Sequence, residues 1–410
     1  MAFFNIFKPS IIEENDQSDY LTIKEEWRIS AENKKIFREY EKSRRRKVDE
    51  SEYLSVMRDS NNVVEFDDLH TYFYTDVGTV KAVNGVTFDI PKGKIVGVVG
   101  ESGCGKSVTS LSLMQLVQAP HGQIVSGSIR YQAENGKCYD IAKMPMTEML
   151  KIRGKELAMI FQEPMTSLNP VFKIGDQMDE VVMLHVDGAT PASAKARSIE
   201  MLNLVGIAMA ENVYNSYPHE LSGGMRQRVM IAMGLSCDPR LIIADEPTTA
   251  LDVTIQAQIL DLLREIKDRI NGSIMLITHD LGVIAEMADH VVVMYAGKII
   301  EQGTVREIFH EPKHPYTVGL MRSKPNVDKA IDRLYSIPGQ VPNPINMPSN
   351  CYFYNRCDKA MAICSNEYPA MIQFTDTHCA ACHLYAENKD TVFFEALGMD
   401  SQEEQKENHE

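Results

Sequence analysis

Residues 100–107 constrain the fold of this chain more than any other stretch. They have the pattern of a glycine, four further residues and Gly-Lys-Ser, which forms a phosphate-binding loop when a strand precedes it and a helix follows it. The apolar run 95–99 is typical of a strand buried on both faces, and apolar residues recur at helical spacing over 108–117. The sequence therefore predicts a strand–loop–helix unit whose backbone N–H groups surround a phosphate at the positive end of a helix dipole.

Two side chains of this loop have expected roles. Lys106 is expected to reach the terminal phosphates of a nucleoside triphosphate, and the hydroxyl of Ser107 to bind Mg²⁺. A glycine-rich turn without nucleotide is the alternative, and the spacing, the lysine and both flanking segments argue against it. The predicted nucleotide-binding residues of the loop are Gly100, Glu101, Ser102, Gly103, Cys104, Gly105, Lys106 and Ser107.

Length and charge narrow the class of protein. The 410 residues are enough for two or three domains. The 42 Lys and Arg against 57 Asp and Glu give a net charge of −15, which argues against general nucleic-acid binding. No apolar run approaches the roughly 18–20 residues needed to cross a bilayer. The short apolar stretch at 3–7 leads into acidic residues and does not have the pattern of a signal peptide. We therefore expect an intracellular protein that is soluble on its own.

The segments before the loop differ in pattern. Residues 1–61 form a charged extension that predicts one or two exposed helices or partly disordered sequence; contact of residues 3–7 with a membrane surface is the alternative. Short strands follow from residue 62, with predicted turns at 76–78 and 84–85. The aromatic run 72–74 offers a platform for a base, although ordinary sheet packing explains it equally well.

Three later apolar runs also end on polar side chains, which are Gln162, the pair Asp245-Glu246, and His279. Adjacent carboxylates after a buried strand are costly without a cation. Beside a phosphate loop, Asp245 is therefore expected to hold Mg²⁺ and Glu246 to polarise an attacking water, whereas a solvated acidic turn is the alternative. His279 follows a parallel strand, at the sheet edge where ligands bind, so it can contact the γ-phosphate.

A second cluster of N–H donors is predicted around residues 221–224. A serine and two glycines directly precede a helical segment there, so that backbone N–H groups are exposed at the N-terminus of a helix. The residues are Leu221, Ser222, Gly223 and Gly224.

The order of these motifs resembles that of the ATP-binding cassette ATPases, from about residue 63 to 312. The match comprises the phosphate loop, a Q-loop glutamine at Gln162, a signature at 221–228, the carboxylate pair and a switch histidine at His279. The resemblance implies an α/β fold: a P-loop NTPase (RecA-like) core with an antiparallel β-subdomain and an α-helical subdomain inserted at about 166–225. It also implies ATP and Mg²⁺ as cofactors.

The resemblance further implies roles for individual residues. Catalytic roles fall on Glu246, His279 and Gln162, and Gln162 joins Ser107 and Asp245 at the magnesium ion. The adenine platform falls on Phe73, with Tyr74 as the competitor. In a head-to-tail dimer the phosphate loop of one subunit faces the signature of the other, so that the nucleotide also meets Leu221, Ser222, Gly223, Gly224 and the D-loop residue Asp252.

Finer features resemble the ATPases of oligopeptide and dipeptide importers. They are the Q-loop segment 161–170, the run His314-Pro315-Tyr316-Thr317 and the segment 337–342. The resemblance implies a peripheral protein on the cytoplasmic side of the cell membrane that hydrolyses ATP to power peptide import. The implied partners are two membrane permease subunits, a second homologous ATPase and an extracellular solute-binding protein, without nucleic acid. Nickel or another small solute as cargo, or a soluble ATPase unrelated to transport, are the alternatives.

Five of the eight cysteines fall between residues 351 and 382, which in a reducing compartment favours metal ligation over disulfides. The spacing of Cys351, Cys357, Cys364 and Cys382 resembles the cysteine pattern of that subfamily, whose members can carry a four-iron four-sulfur cluster. Zn²⁺ is the alternative metal, Cys379 is a competing fourth ligand, and reduced, merely packed thiols are the remaining possibility.

The expected domain limits follow from these motifs. They are a charged extension at 1–61, the ATPase domain at 62–312, a cysteine-rich C-terminal extension at 313–395 and an acidic tail at 396–410.

Overall fold

The computed structural model describes residues 21–44, 46–163, 167–249, 252–323 and 335–386. In chain order, the strands are β1 (Leu54–Ser55), β2 (Asn62–Thr75), β3 (Gly78–Pro91), β4 (Ile95–Val99), β5 (Gly122–Gln132), β6 (Cys138–Asp140), β7 (Leu157–Ile160), β8 (Leu241–Asp245), β9 (Ser273–Ile277), β10 (His290–Tyr295), β11 (Lys298–Thr304), β12 (Met371–Gln373) and β13 (Cys379–Ala381). The helices are α1 (Ile23–Arg44), α2 (Lys106–Leu113), α3 (Met146–Ile152), α4 (Ile174–His185), α5 (Pro191–Leu204), α6 (Ala210–Tyr214), α7 (Gly223–Leu235), α8 (Val253–Ile270), α9 (Leu281–Met287), α10 (Val305–His310) and α11 (Pro315–Arg322).

The larger sheet positions the phosphate loop. Its strand order is β12-β13-β11-β10-β4-β9-β8-β7, and the five strands from β10 to β7 are parallel. Every residue of β4, β8 and β9 is buried, as expected for parallel strands covered on both faces. Because their carboxyl ends share one edge, the loop after β4, the carboxylates after β8 and the histidine after β9 meet there.

Alternate residues of β4 supply two separate hydrophobic cores. Val96 and Val98 pack in the core between the large sheet and the antiparallel sheet, whereas Ile95 and Val99 pack in the core formed with the helices on the opposite face. Side chains of a strand point alternately to the two faces of the sheet. A single apolar run therefore contributes to both cores.

The smaller sheet, of strand order β1-β6-β5-β2-β3, is antiparallel. The turn predicted at 76–78 joins β2 to β3. The turn predicted at 84–85 is wrong, because both residues lie inside β3. Gly85 has φ +80°, and the pairing of β3 with β2 shifts there, Leu69 lying opposite Val86 and His70 opposite Asn84. The glycine thus forms a β-bulge that bends a continuous strand.

One carboxylate links three helices of the insertion between β7 and β8. Asp179 on α4 accepts hydrogen bonds from Ser198 on α5 (2.6 Å) and from Tyr214 on α6 (2.5 Å). A Cβ at Gly175 would lie 2.5 Å from the Tyr214 ring, so the glycine allows the close approach of α4 and α6. The insertion occupies the part of the chain where the resemblance implied a helical subdomain.

Part of the C-terminal region, for which we expected a cysteine-rich extension, belongs to the large sheet. Its strand β13 pairs with β11 and β12 with β13, so residues 371–381 continue the edge of the large sheet. The fully buried carboxylate of Glu301 fastens this edge. It accepts from Nε2 of His378 (2.8 Å) and from the backbone N–H groups of Lys313 (2.6 Å) and His314 (2.9 Å).

Helix α1 confirms that the N-terminal extension contains helix. It packs on the antiparallel sheet, where Asn33 donates a hydrogen bond to the carbonyl of Thr75 (3.0 Å). Phe37 makes edge contacts with Tyr74 and His121, at centroid distances of 6.4 and 5.0 Å.

The segment 3–7, for which membrane contact is the alternative, lies outside the described residues. Within the ranges given above, no helix is long and apolar enough to span a bilayer.

Candidate active site

The phosphate loop leads directly into α2. Lys106, only 6% exposed, donates from Nζ to the carbonyl oxygens of Gly100 (2.8 Å) and Glu101 (3.1 Å). Gly105 precedes the helix with φ +100°, and a Cβ there would lie 2.3 Å from the carbonyl oxygen of Ala82. The loop thus requires glycine at this position, and the first amides of α2 are available to an anion.

Ser107 and Asp245, the two residues predicted to bind Mg²⁺, are in contact at the head of the loop. The Ser107 hydroxyl donates to Oδ1 of Asp245 over 3.1 Å. Burial raises the pKa of Asp245 because desolvation disfavours the charged carboxylate. The hydrogen bond from Ser107 and the charge of Lys106 oppose this effect. A buried carboxylate beside a hydroxyl is an all-oxygen donor pair of the kind that Mg²⁺ prefers. The two residues therefore fit the ion.

Glu246 is the point where the predicted catalytic side chains converge. Its Oε2 accepts from Nε2 of Gln162 (2.9 Å) and from the hydroxyl of Thr249 (2.9 Å), while Oε1 lies 3.3 Å from Nδ1 of His279. Gln162, Thr249 and His279 follow three different strands of the sheet, β7, β8 and β9. They hold the carboxylate in one orientation.

The backbone of Glu246 is strained. Its φ of +47° lies in the left-handed region, which non-glycine residues rarely adopt and which is concentrated at functional sites. Its N–H donates to the carbonyl of Ile277 (2.8 Å), a bond that extends the pairing of β8 with β9 and supports this conformation. In this conformation the side chain contacts Gln162 and His279.

The signature residues open α7. Ser222 is the N-cap, and its hydroxyl accepts from the N–H of Met225 (3.3 Å). Gly223 is exposed, and a Cβ there would meet nothing within 4 Å, so the start of this helix is open to a ligand. Gln227, which the sequence analysis did not single out, is buried and donates to the carbonyl of Pro247 (2.7 Å). It links α7 to the segment after Glu246.

Asp252 has a local role in the structure. Its carboxylate accepts from the N–H of Ile255 (3.0 Å) and caps α8. Residues 250–251 of the predicted D-loop and 164–166 of the Q-loop segment lie outside the described residues.

The two candidates for the adenine platform are on opposite faces of β2, because side chains alternate along a strand. Phe73 shares its face with Thr71, whose hydroxyl bonds Ser112 on α2 (2.8 Å), and its ring lies over Gly122, where a Cβ would be 2.7 Å away. Tyr74 instead contacts Phe37 of α1. The arrangement favours Phe73, since it faces the helix that follows the phosphate loop.

The His-Pro-Tyr run at 314–316 contacts the phosphate loop. The hydroxyl of the fully buried Tyr316 accepts a hydrogen bond from the backbone N–H of Glu101 (2.9 Å). Nδ1 of His314 accepts from the N–H of Tyr316 (3.1 Å) and caps α11. The motif was recognised in the sequence, but its contact with the loop was not.

His314 makes stability depend on pH. Burial lowers its pKa from 6.5 to about 4, against the opposing effect of Glu301. The native side chain is therefore neutral, whereas the unfolded one takes up a proton below pH 6.5, so stability is lost as the pH falls from about 6.5 to about 4.

His314→Asn keeps an N-cap acceptor and removes this titration. Between pH 7 and 5 the wild type should lose about 2 kcal/mol more free energy of unfolding than the variant, measured by urea denaturation at both pH values; equal losses would contradict the assignment.

The C-terminal cysteines divide into two environments. Burial, together with the charges of Cys351, Cys357 and Cys364, raises the pKa of Cys382 to about 12. Burial also raises the pKa of Cys379 to about 11, but its neighbours are Gln302 and Glu301. Across the described residues, no three His, Cys, Asp or Glu side chains are arranged to hold a metal ion. As placed, the thiols do not form the predicted metal centre.

Two family models match the chain. That of the ABC transporter family covers residues 83–249 and so contains the phosphate loop, the signature and the carboxylate pair. That of the oligopeptide/dipeptide transporter C-terminal region covers residues 300–364, which include Tyr316.

Solved structures confirm the fold. The ATP-binding cassette MJ0796, in a dimeric post-hydrolysis state bound to ADP and Pi, is similar with a TM-score of 0.52 and 24% identity, over 59% of this chain and 99% of that one. CbiO1 from Clostridium perfringens, part of the ABC transporter complex cbiONQ, is similar with a TM-score of 0.50 and 24% identity, over 64% and 96% of the two chains.

Curated relatives are considerably more similar in sequence. The oligopeptide transport ATP-binding protein AppD of Bacillus subtilis is 50% identical over 80% of this chain and 98% of its own length. The dipeptide transport ATP-binding protein DppD of Lactococcus lactis is 49% identical over 78% of this chain and 89% of its own length. The chain therefore belongs to the ATP-binding cassette ATPases and, within them, to the family of ATP-binding proteins of oligopeptide and dipeptide transporters.

Proposed function

We propose that this chain is the ATP-hydrolysing subunit that powers import of di- or oligopeptides through a membrane transporter. The observation that carries the proposal is the convergence of Gln162, Thr249 and His279 on Glu246, beside the Ser107–Asp245 pair and the phosphate loop. The peptide cargo is supported by the names of the relatives and by the family model that covers the C-terminal region.

Each residue has a proposed part in the reaction. The amides of the loop and Lys106 bind the phosphates of ATP. Ser107 and Asp245 would hold Mg²⁺, which would neutralise charge on the phosphate oxygens when bound. Glu246 accepts the proton of the attacking water. His279 contacts the γ-phosphate, and Gln162 orients the carboxylate.

The site is proposed to be completed by a second subunit. The N–H groups of the exposed Gly223 and of Gly224, at the start of α7, are the proposed donors for the γ-phosphate. A head-to-tail dimer, preferably with a second homologous ATPase, brings them opposite the phosphate loop of the partner. Two permease subunits and an extracellular solute-binding protein complete the transporter, with this chain peripheral on the cytoplasmic side of the membrane.

Uptake by the reconstituted transporter tests the cargo. The complex in liposomes should take up a radiolabelled tripeptide in an ATP-dependent manner, and uptake should be lost with Glu246→Gln. ATP-dependent uptake of nickel without peptide uptake would favour the small-solute alternative. Purification of the chain as a free, nucleic-acid-stimulated ATPase would favour the alternative outside transport.

The proposal includes a metal cluster on Cys351, Cys357, Cys364 and Cys382, with iron–sulfur preferred over zinc. Its support is the resemblance to the cysteine pattern of the subfamily, together with the mutual effect of the four thiols, since Cys351, Cys357 and Cys364 all raise the pKa of Cys382. The thiols must move closer together to bind a metal.

Metal content of the purified protein tests this cluster. After anaerobic purification, we expect iron and sulfide in the wild type and in Cys379→Ser, because Cys379 faces Gln302 and Glu301. Both should be lost in Cys357→Ser. Zinc without iron, or metal that survives Cys357→Ser, would contradict the prediction.

A further inference from the structure

The C-terminal region reaches the phosphate loop at one residue, Glu101. Nη1 of Arg356 donates to both carboxylate oxygens of Glu101, over 3.0 and 3.1 Å. The backbone N–H of the same residue donates to the hydroxyl of Tyr316, and its carbonyl accepts from Nζ of Lys106. The amide, the carbonyl and the side chain of Glu101 are thus all engaged.

The guanidinium of Arg356 is held in place on several sides. The residue is 8% exposed. Nε donates to the carbonyl of Pro338 (2.8 Å) and Nη1 also donates to the hydroxyl of Tyr295 (3.3 Å). The rings of Tyr295 and Phe353 lie 5.8 and 6.0 Å from the guanidinium carbon, within the range of cation–π contacts. A cation fixed in this way holds its carboxylate partner in a single position.

The position of Glu101 is important because its carboxylate lies in a loop that is expected to receive a triphosphate. An unpaired carboxylate there would repel the phosphates and would be free to move towards them. Arg356 neutralises the charge, and Tyr316 fixes the backbone one residue after Gly100. Together they maintain the loop in the shape from which its later amides contact phosphate.

We infer that Arg356 and Tyr316 are positioning residues for ATP binding, so that the C-terminal region is a working part of the nucleotide site. The inference rests on the proposed ATPase function of the site. Because both residues act through Glu101 and touch neither the attacking water nor Glu246, their loss should weaken nucleotide binding more than it slows the chemical step.

Kinetics of the assembled transporter test the inference. Arg356→Ala should raise the KM for MgATP about tenfold, as expected for loss of a partly buried charge-assisted bond, with kcat changed by less than about twofold. Tyr316→Phe, which keeps the ring, should raise KM in the same direction. The exposed Arg306, changed to alanine, is the matched control and should leave both constants unchanged.

A double variant separates positioning from simple structural support. Glu101→Gln removes the charge that Arg356 neutralises, so the double variant Arg356→Ala with Glu101→Gln should have a lower KM than Arg356→Ala alone. Purely additive effects, or an unchanged KM in Arg356→Ala, would overturn the inference. Binding of a fluorescent ATP analogue is measured in parallel, because it reports the positioning effect without requiring hydrolysis. A wild-type complex that binds the analogue but does not hydrolyse ATP would contradict the proposed function and not this inference.

Discussion

Replacing Glu246 with glutamine is expected to reduce ATP turnover of the assembled transporter by about 100-fold or more, as for loss of a general base. Glutamine keeps the size of the side chain but cannot accept the proton of the attacking water. The phosphate loop, Ser107 and Asp245 are untouched by this change, so MgATP should still bind. Phosphate release and binding of a fluorescent ATP analogue, measured on the same preparation, check the two halves of this expectation.

The matched control for this variant is Glu265→Gln. Glu265 lies on the exposed face of α8, so the same chemical change there should leave turnover at the wild-type level. Normal hydrolysis by Glu246→Gln would exclude Glu246 as the base. Loss of both binding and turnover would instead show that the substitution disturbs the strained backbone at this position.

The second large effect is expected from Gly105→Ala. A Cβ at this residue would lie 2.3 Å from the carbonyl oxygen of Ala82, in a backbone conformation of φ +100° that L-residues rarely adopt. The loop must shift, and displacing the groups that contact a ligand by about 1 Å can cost about 100-fold. We therefore expect affinity for MgATP to fall by about 100-fold or more, measured by titration with the fluorescent analogue.

Gly188→Ala controls for the conformational strain alone. Gly188 has φ +73°, and a Cβ there would meet nothing within 4 Å. The variant should therefore lose about 1–2 kcal/mol of stability and retain ATP binding. Wild-type affinity in Gly105→Ala would show that the close contact with Ala82 does not constrain the loop.

Local patterns in the sequence predicted the parts of the site that depend on short stretches. The runs 95–99 and 241–244 are strands that end at the loop and at Asp245, because an unbroken apolar run between turn residues has few other stable conformations. Gln162, Glu246 and His279 each follow a predicted strand, and the structure brings the three together because parallel strands share the direction of their carboxyl ends.

Other features of the site have no local signal. Thr249 and Gln227 could be assigned only when the structure placed them beside Glu246 and Pro247. The pair Asn84-Gly85 has the composition of a turn, yet β2 and β5 continue the sheet past it, and the sheet pairing converts the turn into a bulge.

The sequence by itself determined that a strand leads into a glycine loop and that a second strand ends at a carboxylate pair, because a triphosphate site requires particular residues at fixed short spacings. The tertiary structure alone decided that residues 371–381 extend the core sheet and that Tyr316 and Arg356 reach Glu101 across 215 and 255 residues. Such contacts depend on the order of the strands and on which faces the helices cover. Neither is encoded in the periodicity of any one segment.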